Sequence, residues 1–141
     1  MKNIMTFSLQ GRHLKDVDPT VTGTLVVPEG VERIGVGALE DCTGITEVVL
    51  PLSLKQIGRF AFEGCTSLKH VTLPENLVVL ERNAFLNCTA LESVVIPDSL
   101  YGIGNKVFEG CSRLRSVTAS DLDKLMAGDV FEGSALSCAK S

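Results

Sequence analysis

The chain has 141 residues, 45% hydrophobic and 21% charged, with a net charge of −4 at neutral pH. Such a chain builds one core, leaves little room for a second domain, and excludes a long disordered tract. The small negative charge with interspersed signs excludes nucleic acid and an anionic membrane as main partners, because both require clustered Lys and Arg.

At the N-terminus, Lys2 precedes an apolar stretch broken by Thr6, Ser8 and Gln10, unlike an export signal, and no apolar run is long enough to span a membrane. The expectation is a chain with no export signal and no membrane insertion, cytoplasmic by default. Phe7 to Leu9, a turn at Gln10-Gly11-Arg12 and His13 to Val17 predict a β-hairpin. Residues 1–21 are accordingly assigned to an N-terminal β-hairpin cap.

From residue 22 onward a 23-residue period organises the chain. Proline recurs at Pro28, Pro51, Pro74 and Pro97, and cysteine at Cys42, Cys65, Cys88 and Cys111. Phenylalanine recurs at Phe62, Phe85, Phe108 and Phe131, with Leu39 in the equivalent place one period earlier. Aliphatic columns such as Leu25, Val48, Val71, Val94, Val117 and Ile34, Ile57, Leu80, Ile103 keep the same register. The repeats are assigned to residues 22–44, 45–67, 68–90, 91–113 and 114–136.

Within one period, Val71-Thr72-Leu73 alternates apolar and polar residues as a half-buried strand does, and Pro74 blocks its continuation. Leu77 and Leu80 turn a second segment inward, and Asn83 to Cys88 has room for about one helical or 3₁₀ turn burying Ala84, Phe85 and Cys88. A single such coil buries its apolar side chains against nothing, so the coils must stack with their strands parallel. The last period is eroded: Ser120, Asp123 and Ser134 replace the proline, the small apolar residue and the cysteine. Leu122, Leu125, Met126 and Val130 follow helical spacing instead and predict a helical cap, with 137–141 a tail.

The pattern Leu-x-x-Val-x-Leu-Pro-x-x-Leu-x-x-Ile-Gly-x-x-Ala-Phe-x-x-Cys resembles the BspA-type class of leucine-rich repeat, and Leu54 to Leu73 match it almost position by position. Departures are Leu39 for Phe, Glu81 for Gly and Val107 for Ala. The resemblance implies an α/β fold, a right-handed solenoid or horseshoe segment of about five coils, with a parallel strand ladder on the concave face and short helical or 3₁₀ turns on the convex side. It also implies protein binding or adhesion, often at bacterial or protist surfaces, and so a cell-surface or secreted location if a leader is missing from the chain.

Candidate chemistry is weighed against these columns. The register cysteines have the spacing of a core rather than the two-to-four-residue spacing of zinc ligands, so they are expected to be reduced and buried, with Cys138 the out-of-register thiol. No cofactor or metal is predicted. Gly35-Val36-Gly37 lacks the third glycine of a dinucleotide fingerprint and reads as a corner. Thr43, Thr66, Thr89 and Ser112 form a hydroxyl column expected to bond to backbone.

On the strand face, the column Thr24, Glu47, His70, Ser93, Ser116 sets a carboxylate, an imidazole and a hydroxyl side by side, which imitates a hydrolase triad. An open sheet face offers no water-excluded pocket, so the chain is expected not to be an enzyme, with a Glu47/His70/Ser93 hydrolase a remote alternative.

The leading reading is a non-catalytic protein-binding module, with a structural segment of a longer repeat array as alternative. The partner is expected to be a protein, the chain a monomer or weak oligomer. Its candidate contact residues are Glu47, Val49, His70, Thr72, Ser93 and Val95, with Val78 and Tyr101 as neighbours. The opposite side carries Glu40, Glu63, Glu109 and Glu132 in one row, which suits solvent better than a close partner.

Overall fold

Two places in each period combine an extended backbone with an inward apolar residue, and the computed structural model, which describes residues 4–8, 10–120, 125 and 128–136, makes a short strand at both. The first set, β3 (Thr22–Val26), β5 (Gly44–Val49), β7 (His70–Thr72), β9 (Ser93–Val95) and β11 (Ser116–Thr118), forms one parallel sheet in that order. Its register follows the repeat, pairing Thr24 with Glu47, Glu47 with His70, His70 with Ser93, and Ser93 with Ser116. One further amide bonds across before Pro28, Pro74 and Pro97 end the ladder: Val27 N–H to Val49 C=O, Leu73 N–H to Val95 C=O and Ile96 N–H to Thr118 C=O.

The second sheet runs β1 (Met5–Ser8), β2 (His13–Val17), β4 (Arg33–Ile34), β6 (Gln56–Ile57), β8 (Val79–Leu80) and β10 (Gly102–Ile103). Sequence reading placed only an inward-turning segment there. β1 and β2 pair antiparallel, with Gln10 and Gly11 between them both at positive φ. β2 then pairs parallel with β4, and Leu14 and Val17 are buried, so the second strand of this hairpin belongs to the core itself. In the glycine column beside this sheet, Glu81 turns its carboxylate back to accept a bond from Gln56 Nε2 at 3.0 Å, with Arg33 at 3.8 Å.

The expectation of helical turns on the third side, and with it the α/β class, is corrected by the structure: the molecule is a β-solenoid of about five coils. Among the described residues Leu125 alone is α-helical. The reason lies in two left-handed residues per coil. One column holds Gly37, Phe60, Asn83 and Lys106 at φ 64, 59, 52 and 49°, and the other holds Asp41, Gly64, Asn87 and Gly110 at 58, 74, 60 and 80°. Only three residues separate the columns, less than the 3.6 of one helical turn, and an L-residue at positive φ breaks a right-handed helix.

The amides of this side bond between coils instead. Leu39 N–H donates to Ala61 C=O at 2.7 Å, Phe62 N–H to Ala84 C=O at 2.7 Å and Phe85 N–H to Val107 C=O at 3.0 Å. Intervening amides close i→i+3 turns, such as Ala61 N–H to Gly58 C=O. Every side of the coil is thus tied to its neighbour through backbone, which satisfies groups that burial would otherwise leave costly.

Side-chain ladders fill the interior. Phe62, Phe85, Phe108 and Phe131 stack with ring centroids 4.8, 5.5 and 5.4 Å apart. The thiols of Cys65, Cys88 and Cys111 donate to the carbonyls of Leu39, Phe62 and Phe85 in the preceding coil, at 3.2, 3.0 and 3.2 Å. Packing loosens toward the last coil, where Leu100, Ile103, Val117 and Ala119 are half-buried. Leu122 and Met126 of the expected helical cap, Cys138 and the tail 137–141 lie outside the described residues.

Candidate functional site

Because side chains alternate across a strand, burying Val48, Val71 and Val94 turns residues 47, 70, 93 and 49, 72, 95 outward. Val26, Val49 and Val95 keep 57%, 45% and 38% of their surface in solvent, although β-branched residues of this size are usually core. An open groove of about 800 Å³ crosses three coils of this face. Glu47, Val49, His70, Thr72 and Val95 line it from the strands. Leu52, Pro74, Glu75, Pro97 and Asp98 line it from the loops that follow.

Those loops are fixed by one position of the repeat. Ser53 Oγ donates to Val31 C=O at 2.7 Å, Asn76 Nδ2 to Leu52 C=O at 3.1 Å and Ser99 Oγ to Leu77 C=O at 2.6 Å. Each proline ends its strand and each Ser or Asn pins the turn after it, so the groove wall repeats from coil to coil. Pro74 and Pro97 were singled out from sequence only as part of the repeat, and Glu75 and Asp98 not at all. The Ser or Asn two places after Pro51, Pro74 and Pro97 was the available signal.

Of the eight candidate contact residues, Glu47, Val49, His70, Thr72 and Val95 share the groove, and Ser93 stands against His70. Val78 and Tyr101 are adjacent, with Tyr101 N–H donating to Val78 C=O at 2.8 Å, but they precede the second sheet and do not line the groove. Tyr101, 93% exposed, instead borders a smaller cavity of about 260 Å³ with Leu100, Ile103 and Ala119.

The triad-like column is bonded differently from a catalytic relay. His70 Nδ1 lies 2.6 Å from Ser93 Oγ, while Glu47 accepts from Thr24 Oγ1 at 3.3 Å. In a relay the carboxylate holds the imidazole through the ring nitrogen that does not face the hydroxyl. Here the bonds are separate pairs, Thr24 with Glu47 and His70 with Ser93, on an exposed face.

On the opposite side, burial raises the Glu63 carboxyl above its ordinary range, and the neighbouring Glu40 and Asp41 push it the same way. Thr43, Thr66, Thr89 and Ser112 are exposed, and among the described residues no bond joins their hydroxyls to backbone. The turn uses amides instead, as in Thr43 N–H to Asp41 C=O at 2.9 Å.

The register cysteines are buried and unpaired as disulfides. Burial, aided by Cys65 and the carboxylates of Asp16, Asp18 and Asp41, pushes the Cys42 thiol up to about 12. Contact with the Cys111 and Cys65 thiols, and burial, raise Cys88 as well. Thiols held protonated this way are poor nucleophiles and poor metal ligands. Among the described residues no group of three or more His, Cys, Asp or Glu is placed to hold a metal.

No curated protein sequence matches the chain. Among solved structures it is similar to a leucine-rich repeat protein of Bacteroides capillosus, at 30% identity over 81% of this chain and 91% of that one, with a TM-score of 0.69. It is also similar to the T. pallidum leucine-rich repeat protein, at 25% identity and TM-score 0.71, and to a leucine-rich cell surface protein of Faecalibacterium prausnitzii, at 25% identity and TM-score 0.61. These two matches cover 84% and 89% of this chain but only 62% and 40% of those proteins. The family described as "BspA type Leucine rich repeat region" matches residues 21–137 in 6 copies. That match takes in every 23-residue period and its proline, phenylalanine and cysteine ladders, and the chain belongs to the BspA-type leucine-rich repeat family.

Proposed function

We infer that the chain is a non-catalytic protein-binding module that presents the outer face of the β3 to β11 sheet to a partner. The observation that carries this reading is the groove across β5, β7 and β9. Its exposed Val49 and Val95, with Thr72 between them, form an uncharged centre, and Glu47, Glu75 and Asp98 stand at its ends, the arrangement of an interface with an apolar core and a polar rim. Glu47, Val49, His70, Thr72, Ser93 and Val95 form the contact surface, with Val78 and Tyr101 a separate flanking patch. Residues 1–21 serve as the N-terminal cap and 22–136 carry the repeats. A bacterial cell-surface location fits the similarity to the F. prausnitzii cell surface protein.

Five coils at about 4.8 Å and strands of about 5 residues at about 3.3 Å span roughly 400 Å² in projection, against the roughly 800 Å² each partner gives a standard interface. Contacts from the groove loops therefore join the strand face. A second reading, a structural segment of a longer array, is favoured by the partial coverage of two of the matched proteins.

The test compares proteins captured by the immobilised wild-type chain, a Thr72→Arg/Val95→Arg variant and a Glu63→Arg variant, with folding checked by circular dichroism. The strand-face variant is expected to lose partners that the Glu63 variant keeps. The reverse pattern would show that the wrong face was chosen.

A further inference from the structure

The groove has a one-sided charge. Its lining includes three carboxylates, Glu47, Glu75 and Asp98, and no lysine or arginine. Glu75 and Asp98 occupy the same position of successive periods, stacked one coil apart, and neither has a side-chain partner among the described residues. In the preceding coils the same position holds Leu52, 54% exposed, and Glu29, whose carboxylate is taken up by the Leu52 amide. The like-charged pair on the rim is therefore left without a compensating cation from its own chain.

Along the strand direction the polar and apolar features come in a fixed order. Glu47 and His70 stand at the start, Val49, Thr72 and Val95 in the middle, and Glu75 and Asp98 beyond the prolines at the far end. Three coils at about 4.8 Å, each giving four or five residues to the groove, match one extended peptide segment in width and length rather than a folded domain.

Resting on the strand-face reading above, we propose that the groove binds an extended segment of a partner protein that carries lysine or arginine at both ends of a short apolar stretch. One cation meets Glu47 and the other meets Glu75 and Asp98, while the apolar side chains cover Val49 and Val95. Complementary charge at the two ends sets the register of the segment, and the valines supply the area.

The experiment uses the isotope-labelled chain, with the blocked pentapeptide Lys-Leu-Ser-Val-Lys and its counterpart bearing glutamate at both ends as probes, followed by amide chemical shifts. The lysine peptide is expected to move resonances of residues 47–52, 70–75 and 95–99 and to bind about tenfold more tightly than the glutamate peptide, the size of two exposed charge pairs gained rather than lost. Added salt should weaken it. A Glu75→Lys/Asp98→Lys variant, altered only in exposed loop residues and retaining Glu47, should lose most of the preference for the lysine peptide.

Equal binding of both peptides, no shifts at millimolar peptide, or shifts that favour the Glu40, Glu63 and Glu109 row overturn the proposal. Failure here is separable from failure of the strand-face reading. If Thr72→Arg/Val95→Arg abolishes partner capture while Glu75→Lys/Asp98→Lys preserves it, the face stands and the cationic segment falls. If Thr72→Arg/Val95→Arg has no effect on capture, the face itself is wrong.

Discussion

Replacing Phe85 by alanine tests the interior at its centre. The ring is fully buried, with Phe62 stacked at 4.8 Å on one side and Phe108 at 5.5 Å on the other. The neighbouring coils are held on every side by inter-coil backbone bonds, including Phe85 N–H to Val107 C=O, so they cannot collapse into the space a missing ring leaves. A Phe→Ala change in a rigid core costs about 3 to 5 kcal/mol, and losing two stacked contacts worth about 0.5 to 1.5 kcal/mol each places this site toward the upper end. That is a large share of the ~5 to 15 kcal/mol typical of a domain.

His70→Ala removes an exposed side chain and its bond to Ser93, and should cost no more than about 0.5 kcal/mol. Phe85→Leu places at this site the residue that Leu39 already contributes to the same column, and should fall between the two. Urea unfolding followed by far-ultraviolet circular dichroism measures all three variants. Similar losses for Phe85→Ala and His70→Ala would refute the inside/outside assignment on which every column rests.

Two further expectations concern ionisation. Cys42 has its folded value raised from 9.0 to about 12, so the native state holds the thiol proton more tightly than the unfolded chain does; the stability this contributes is full below pH 9 and is lost as pH rises toward 12. Thermal scans across that window should show an alkaline decline that Cys42→Ala makes shallower, and thiol titration of the native chain at pH 8 should find the four register cysteines slow; several fast thiols among them would contradict the buried ladder. Glu63 is raised by burial and by Glu40 and Asp41, so its favourable contribution is present below the ordinary 4.5 and lost as pH rises through the raised value. Glu63→Gln should therefore raise the melting temperature slightly at pH 7, by the equivalent of about 0.2 to 1 kcal/mol for relieved like charges, and not below the carboxylate range; an unchanged difference across pH would refute the charge argument.

Much of the fold was legible because a solenoid repeats its environment as well as its sequence. Val48, Val71 and Val94 recur every 23 residues because each meets the same neighbours, and the stacked phenylalanines and buried cysteines were readable for the same reason. The outward positions on the strand face were readable too, since strand alternation assigns Glu47, His70 and Thr72 to solvent once Val71 is placed inside.

The third side of the coil was not legible. Gly37, Phe60, Asn83 and Lys106 share a left-handed backbone but no side-chain chemistry, so of the two left-handed columns only that of Asp41, Gly64, Asn87 and Gly110 carries the residue types that mark such a turn. Tertiary structure decided that conformation: the inter-coil bonds of Leu39, Phe62 and Phe85 force the chain to match its neighbour rather than bond within itself as a helix. The groove was decided in the same way. Glu75 and Asp98 look like ordinary loop residues until Asn76 and Ser99 pin their turns against the preceding coils and bring two carboxylates to the rim of a valine-lined face.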